Sequence, residues 1–549
     1  MKPKFHRYLL ALIGVCLLIF FFNLDALYVN IMEARNFGSA REMLHLDHWL
    51  LTTLNDIPRY EKPPLPTWLT AISAKIFGIE HLWALRLPAA CAATLLAVSL
   101  YKFSALINIT RKQAFIGSLI AVSSFYIIFS GRNGQWDIFT HSFMMVAIYF
   151  LFQFFRDERK LWRNAVLAGL FFGFSILSKG PVSLYALFLP FLIAYAIVYK
   201  FQDFRKKWGA LVVFLVLSLV VGLWWFVYVR LADPIAFLEI TKDEAANWGS
   251  YNIRPFYYYW SFFTQSGIWT IPSLVALLYP YLKNKVSNKK AYKFAILWTV
   301  LSVILLSIIP EKKSRYLLPV LIPMALNTSF YIEYLFSNFS GLKMKEKWVV
   351  YFNFGLIATI GIAFPFGAYF MLDLDGIYYL WYALTSIALF GIGISIFYYL
   401  RKNRFSKIFY LTVGFICTVI VFGFPLIDTL IDNPNYKSFA ELKKQAENKQ
   451  FTVYEYNSFG PEIIWDYGEP IHILIKNDSL SLPKEEEFGL LFNVTDTISP
   501  EEFSGYSIKK VDQYDLNQIN PQKSGYKDRL MRDFYMLKKK DYFYFFNFI

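Results

Sequence analysis

The chain has 549 residues, of which 56% are hydrophobic, 20% aromatic and only 17% charged. That balance excludes an ordinary soluble domain, and apolar runs of roughly twenty residues indicate transmembrane helices. The net charge of +15 does not indicate a nucleic-acid partner, because the basic residues recur in alternate loops and form no single patch.

In chain order, hydropathy predicts about thirteen membrane helices, near 8–26, 83–101, 113–131, 138–155, 164–178, 182–199, 209–229, 264–282, 292–309, 317–337, 348–370, 379–400 and 408–427. The first run is too long for a cleavable signal, and no small-residue cleavage site follows it. Lys2, Lys4 and Arg7 precede it. Every second loop after that is basic, as at Lys102/Arg111/Lys112, Arg156/Arg159/Lys160 and Lys343/Lys345/Lys347. By the positive-inside rule these loops are cytoplasmic. The odd helix count then puts the C-terminus outside. Cys16, Cys91 and Cys417 lie within the helices and read as small apolar packers; no disulfide or metal spacing exists.

The outer side is expected to carry two long loops, 27–82 and 230–263. After residue 430 the composition becomes that of a soluble domain: "KSFAELKKQAEN" reads as an amphipathic helix, "FTVYEY" and "FGLLFNV" as strands. The expected fold class is therefore an all-α polytopic membrane domain over 1–430 and a small extracytoplasmic α/β domain over 431–549. No motif residue lies beyond Tyr316, so the second domain is expected to be auxiliary.

Polar chemistry collects on the outer side. In the first loop "MEARNFGSAREML" and "LPTWLTAISAKIF" suit two helices lying along the membrane interface. Between them "RYEKPP" sets Arg59, Glu61 and Lys62 against prolines that fix the backbone. Further along come Asp137 in "GRNGQWD", Lys179 in "SKGP", Asp243 and Glu244 in the second long loop, and Arg315 and Tyr316 in "PEKKSRYLLP". Singly, each reads as an interfacial anchor. Together they supply acids for proton transfer, bases for phosphate and aromatic faces for sugars. The cytoplasmic side has no such set.

The segments "EARNFGSAREM", "RYEKPPLPTW", "LRLPAA", "GLFFGFSILSKGP" and "KKSRYLLPVLIP" resemble the landmarks of the bacterial relatives of protein O-mannosyltransferases, including the lipid A aminoarabinose transferases. The resemblance spans roughly residues 25–330 in the same order. It implies a GT-C fold and a glycosyltransferase of the bacterial cytoplasmic membrane. Such an enzyme takes its sugar from a polyprenyl-phosphate donor and transfers it to a lipid, glycan or protein acceptor on the outer face. By this resemblance Lys62 grips the lipid phosphate, Glu61 is an active-site carboxylate beside it, Asp137 matches the acid of the second outer loop, and Arg315 and Tyr316 border the donor pocket.

Two departures stand out. The family's Asp-Glu pair in the first loop reads Met32-Glu33 here, which leaves Glu33, Asp137 or Asp25 to activate the acceptor. Some relatives bind a divalent ion through the Glu of the Glu-Lys turn and a later His. This loop offers only Asp243 and Glu244 beside Glu61, which suits a hard ion such as Mg²⁺ and does not support zinc. A phosphate leaving group needs charge stabilisation, from Lys62 with Arg59 or Arg315. The acceptor needs a base, for which Glu33 and Asp137 stand in that order. The rival readings are a transporter or lipid flippase, a decayed relative acting as a binding or assembly protein, and a lipid-linked oligosaccharide polymerase or ligase. The flippase reading sits poorly with mid-helix positions that are nearly free of charge.

Overall fold

The computed structural model describes residues 3–540 apart from 203, 477–478, 495 and 497–499. The chain divides into two compact units. One comprises Met1–Leu27, Trp49–Thr52 and Arg59–Ile427; the other comprises Tyr28–His48, Thr53–Pro58 and Asp428–Ile549.

The first unit is helical. Among the described residues eight helices are long and apolar enough to cross a membrane: Leu82–Leu106, Asp137–Arg156, Leu161–Lys179, Arg205–Ala232, Lys289–Ile308, Met344–Met371, Tyr378–Arg401 and Phe405–Leu430. A ninth is counted if Arg111–Val122 and Phe125–Gly131, bent by 69° at their junction, make one span. The other expected segments are helical but shorter, broken or more polar. Pro3–Phe20 ends early, 182–199 begins as a wide turn at Leu184–Phe188, and 264–282 is interrupted at Gly267. Leu318–Asn338 is continuous but buries Asn327, Thr328 and Ser329. By length and composition, kinks remove some of the expected segments from the candidate spans and polar content removes others.

Small residues let the helices that carry the candidate site approach closely. A Cβ on Gly173 would meet Val221 at 2.6 Å, and one on Gly222 would meet Ile176 at 3.0 Å. The helix ending at Lys179 is thus pressed against Phe204–Ala232, since small residues allow close backbone contact where lipid gives no hydrophobic drive. Against Asp137–Arg156 it is held by polar contacts. Thr140 Oγ1 donates to the Ser175 carbonyl at 2.9 Å, and Ser175 Oγ donates back to the Thr140 carbonyl at 2.7 Å.

The second unit contains the expected soluble elements: helix Phe439–Lys449 and strands Val453–Glu455 and Glu487–Asn493. Its five-stranded sheet runs in the order His472–Ile473, Val453–Glu455, Glu487–Asn493, Met531–Lys539, Tyr506–Asp515. The first two pairings are parallel and the last two antiparallel.

Helix Ile31–His45 belongs to this unit, which corrects the expectation of an interfacial helix. An interfacial helix buries only its apolar face, whereas here the polar Ser39 and Glu42 are buried along with Phe37 and Ala40. Phe37 packs on the Trp465 ring at 5.4 Å, and Arg41 donates to the Ile464 carbonyl at 2.8 Å. The following chain forms a hairpin, Thr53–Leu54 against Ile57–Pro58. Its turn residues Asn55 and Asp56 have φ of 59° and 58°, the left-handed pair that a two-residue hairpin turn requires. The buried Glu42 carboxylate accepts from Thr53 Oγ1 at 2.5 Å and from the Asn55 N–H at 2.6 Å. The Asn55 side chain in turn exchanges two hydrogen bonds with the Ile471 backbone, both at 2.7 Å. Residues 28–48 and 53–58 therefore fold in one unit with the C-terminal segment.

Candidate active site

Asp137 is the first residue of its helix and Lys179 the last of the next. Each charge suits the helix end it occupies, an anion at the N-terminus and a cation at the C-terminus. The helices are antiparallel, so these ends meet, and the buried Lys179 ammonium donates to Asp137 Oδ1. Gly180 follows at φ 74°, a left-handed exit that glycine makes without strain.

The loop 310–316 brings further cations to the same place. Lys179 Nζ lies 5.1 Å from the centre of the Tyr316 ring, Lys313 Nζ 5.8 Å and the Arg315 guanidinium 5.8 Å. Electrostatic interactions of Lys179 extend to Arg315 and Lys62. Glu311 balances part of this charge, pairing with Lys313 at 2.5 Å. Burial and Glu311 push the Tyr316 phenol above its ordinary range, so it stays protonated. The loop is fixed from the second long loop. The Tyr259 hydroxyl accepts from the Lys313 N–H at 3.0 Å, and Lys312 Nζ donates to the Arg254 carbonyl at 3.0 Å.

The proline-framed turn is equally restrained. Arg59 N–H donates to the Thr52 carbonyl at 2.8 Å, and the buried Tyr60 hydroxyl donates to Asp233 Oδ2 at 2.8 Å. Burial and Asp233 raise the Tyr60 phenol. Helix Leu65–Phe77 starts directly after the prolines, with Pro66 in its first turn as its fixed φ favours. Its small and polar residues face inward while Ile72 and Ile76 are exposed, the arrangement suited to a lipid-facing surface. Arg59 sits over the Trp136 ring at 5.0 Å, which places the turn beside Asp137. Lys62 Nζ contacts Glu244 Oε2 at 3.3 Å. Glu61, partly exposed, is 3.8 Å from Arg59 Nε.

The structure thus brings together Arg59, Glu61, Lys62, Asp137, Lys179, Arg315 and Tyr316 within one unit. Glu33 belongs to the other. It is buried and closes a capping box, accepting from the Asn30 side-chain amide at 3.0 Å while Asn30 Oδ1 accepts from the Glu33 N–H at 3.3 Å. The Asn-x-x-Glu spacing was a legible signal of that role. The expected metal set is corrected. Among the described residues no group of three His, Cys, Asp or Glu side chains is placed to hold a metal ion. Asp243 is exposed on the helix Pro234–Ser250, and Glu244 is engaged with Lys62. Sequence reasoning missed Trp136 and Tyr60. Their signal was an aromatic residue directly beside a candidate charge, in "QWD" and "RYE".

The family model described as dolichyl-phosphate-mannose-protein mannosyltransferase matches residues 61–225, a stretch that holds Glu61, Lys62, Asp137 and Lys179. An uncharacterized protein of Aquifex aeolicus is 26% identical over 335 residues, covering 60% of this chain and 64% of that protein. The undecaprenyl phosphate-alpha-4-amino-4-deoxy-L-arabinose arabinosyl transferase of Photorhabdus laumondii is 25% identical over 351 residues, covering 60% of each. The chain thus spans less than two thirds of the length of these curated relatives. The crystal structure of ArnT from Cupriavidus metallidurans bound to undecaprenyl phosphate aligns with a TM-score of 0.69 at 15% identity, covering 96% of this chain and 97% of that one. The resemblance drawn from the motifs is borne out: this is a multi-span membrane protein with the GT-C fold, similar in sequence to polyprenyl-phosphate-dependent sugar transferases.

Proposed function

We propose that the protein transfers a sugar from a polyprenyl-phosphate donor to a lipid, glycan or protein acceptor at the outer face of the bacterial cytoplasmic membrane, with the C-terminal unit on that same side. The observation that carries this reading is the gathering of Lys179, Lys313 and Arg315 around one tyrosine ring at the helix ends, with Lys62 in electrostatic reach. A transporter has no need of such a one-sided cluster of cations.

In this reading Lys62 and Arg315 bind the donor phosphate and stabilise its charge as the anomeric bond breaks. Lys179 is oriented by Asp137, which makes Asp137 a positioning carboxylate, because its Oδ1 is already occupied by the ammonium. Glu61 is the carboxylate best placed to take the acceptor's proton, being only loosely paired with Arg59 at 3.8 Å and partly exposed. Glu33 shapes the first loop through its helix cap. The chemistry is derived without a metal ion, since the proposed ligands Glu61, Asp243 and Glu244 do not form a ligand set.

The test is transfer from an undecaprenyl-phosphate-linked sugar by purified protein in detergent, beside mass analysis of envelope glycolipids and glycoproteins in a deletion strain. No transfer with any lipid-linked sugar, and an unchanged envelope, would refute the reading.

A further inference from the structure

The cations of the candidate site are not equally free. Three lysines each have one carboxylate: Lys62 Nζ lies 3.3 Å from Glu244 Oε2, Lys313 Nζ lies 2.5 Å from Glu311 Oε1, and Lys179 is engaged with Asp137. Arg315 is different. It is half-buried, senses Asp137 electrostatically, and forms no ion pair among the described residues.

The Glu311 side chain is not what holds its loop. The backbone there is already clasped, with the Arg254 N–H donating to the Pro310 carbonyl at 3.3 Å and the Lys312 N–H to the Asn252 carbonyl at 3.1 Å. The Lys313 N–H donates to the Tyr259 hydroxyl at 3.0 Å. One oxygen of Glu311 meets both Lys313 and the Tyr316 hydroxyl, the latter at 3.4 Å, so this acid sits among the cations around that ring. Glu244 reaches Lys62 from the largely exposed helix Pro234–Ser250. Two carboxylates thus lower the positive potential where a phosphate would bind.

That potential bears differently on the two lipid phosphates such a reaction handles. A lipid-linked sugar phosphate is a diester with a single negative charge. The lipid phosphate left after transfer is a monoester, whose second ionisation near about pH 6 gives it about two charges at about pH 8. Coulomb energy scales with the ligand's charge, so each nearby carboxylate repels the monoester about twice as strongly as the diester. The unpaired Arg315 matches one charge. The second charge of the monoester would lose its water with no free cation to meet it. Repulsion aimed at the wrong ligand is a source of specificity.

We infer that Glu244 and Glu311 are specificity-determining carboxylates that hold down affinity for the spent lipid phosphate relative to the sugar-linked donor, and so favour product release. This step rests on the glycosyltransferase reading above.

Full-length protein in detergent is titrated at about pH 8 with undecaprenyl phosphate and with its monomethyl ester, a diester of the same tail that requires no knowledge of the sugar. Wild type is expected to bind the ester at least as tightly as undecaprenyl phosphate. Glu311→Gln and Glu244→Gln should each tighten the ester about twofold and undecaprenyl phosphate about fourfold, the square that follows from twice the charge. If Glu311→Gln lowers the thermal midpoint, Glu244→Gln alone decides. Unchanged or equally changed affinities for the two lipids would overturn the inference, as would a wild type that prefers undecaprenyl phosphate. Weaker binding of both lipids would also overturn it, and would leave the two acids as props for their lysines. Each of those outcomes leaves the glycosyltransferase reading standing. Failure of wild type to bind either lipid would overturn that reading, and this inference with it.

Discussion

The Lys62 ammonium rests 3.3 Å from the Glu244 carboxylate, 182 residues later in the chain. On the proposed reading, the donor phosphate competes with that carboxylate for the same cation. Glu244→Gln is therefore expected to tighten undecaprenyl phosphate binding. The pair is partly exposed, so the gain is at most about 1 kcal/mol, roughly fivefold. Titration of purified protein with undecaprenyl phosphate reads the sign directly, and weaker binding would mean that Glu244 holds Lys62 in place for its ligand.

Lys62→Ala is expected to cost turnover about ten- to a hundredfold, the loss of a charge-assisted hydrogen bond worth about 1.5–3 kcal/mol. Lys62→Arg should rescue only in part, since a planar fork cannot stand in for a compact charge on a proline-framed turn. Glu61→Gln should cripple turnover while the thermal midpoint stays put. Lys289→Ala, at the far end of the bundle, should be silent. Wild-type rates in both the Lys62 and Glu61 variants would reduce the turn to a membrane anchor.

The Asp137–Lys179 pair predicts a different pattern. Removing either partner leaves a buried charge alone and should destabilise the protein by about 3–5 kcal/mol. The double variant Asp137→Asn with Lys179→Met should recover much of the thermal stability but none of the activity. Recovery of both would show that the pair serves folding only.

Tyr316→Phe should retain most of donor binding, because it keeps the ring that Lys179, Lys313 and Arg315 approach and removes only a hydroxyl engaged with Glu311 and Arg315. Tyr316→Leu removes that face and should weaken undecaprenyl phosphate binding by about 0.5–2 kcal/mol. Equal effects of Phe and Leu would point to the hydroxyl instead.

Truncation after Ile427 should do more than remove an accessory domain. It strips helix Ile31–His45 of Trp465 and Ile464 and the hairpin of its Ile471 clasp. Limited proteolysis should then cut within residues 28–58, which the full chain protects. A resistant first loop in the truncated protein would show that it folds without the C-terminal segment. An alkaline phosphatase fusion at the C-terminus should be active; a silent fusion would reverse the assigned sidedness.

Much of this was legible in the amino-acid order. Hydropathy alone identified a polytopic bundle, because burying a backbone in lipid requires long apolar helices. The shift after residue 430 marked a soluble α/β segment. Motif order along the first 330 residues pointed to the GT-C fold, and the cations later found together, Lys62, Lys179 and Arg315, could be named from their proline- and glycine-framed turns. Tertiary structure alone decided the rest. Whether helix Ile31–His45 lay on a membrane or inside a domain depended on Trp465, more than four hundred residues away. Glu244 became a partner of Lys62 because the fold set it beside the charged turn. Periodicity and hydropathy report each segment's own preferences, whereas a carboxylate's role is set by whichever charge the fold brings within a few ångströms of it.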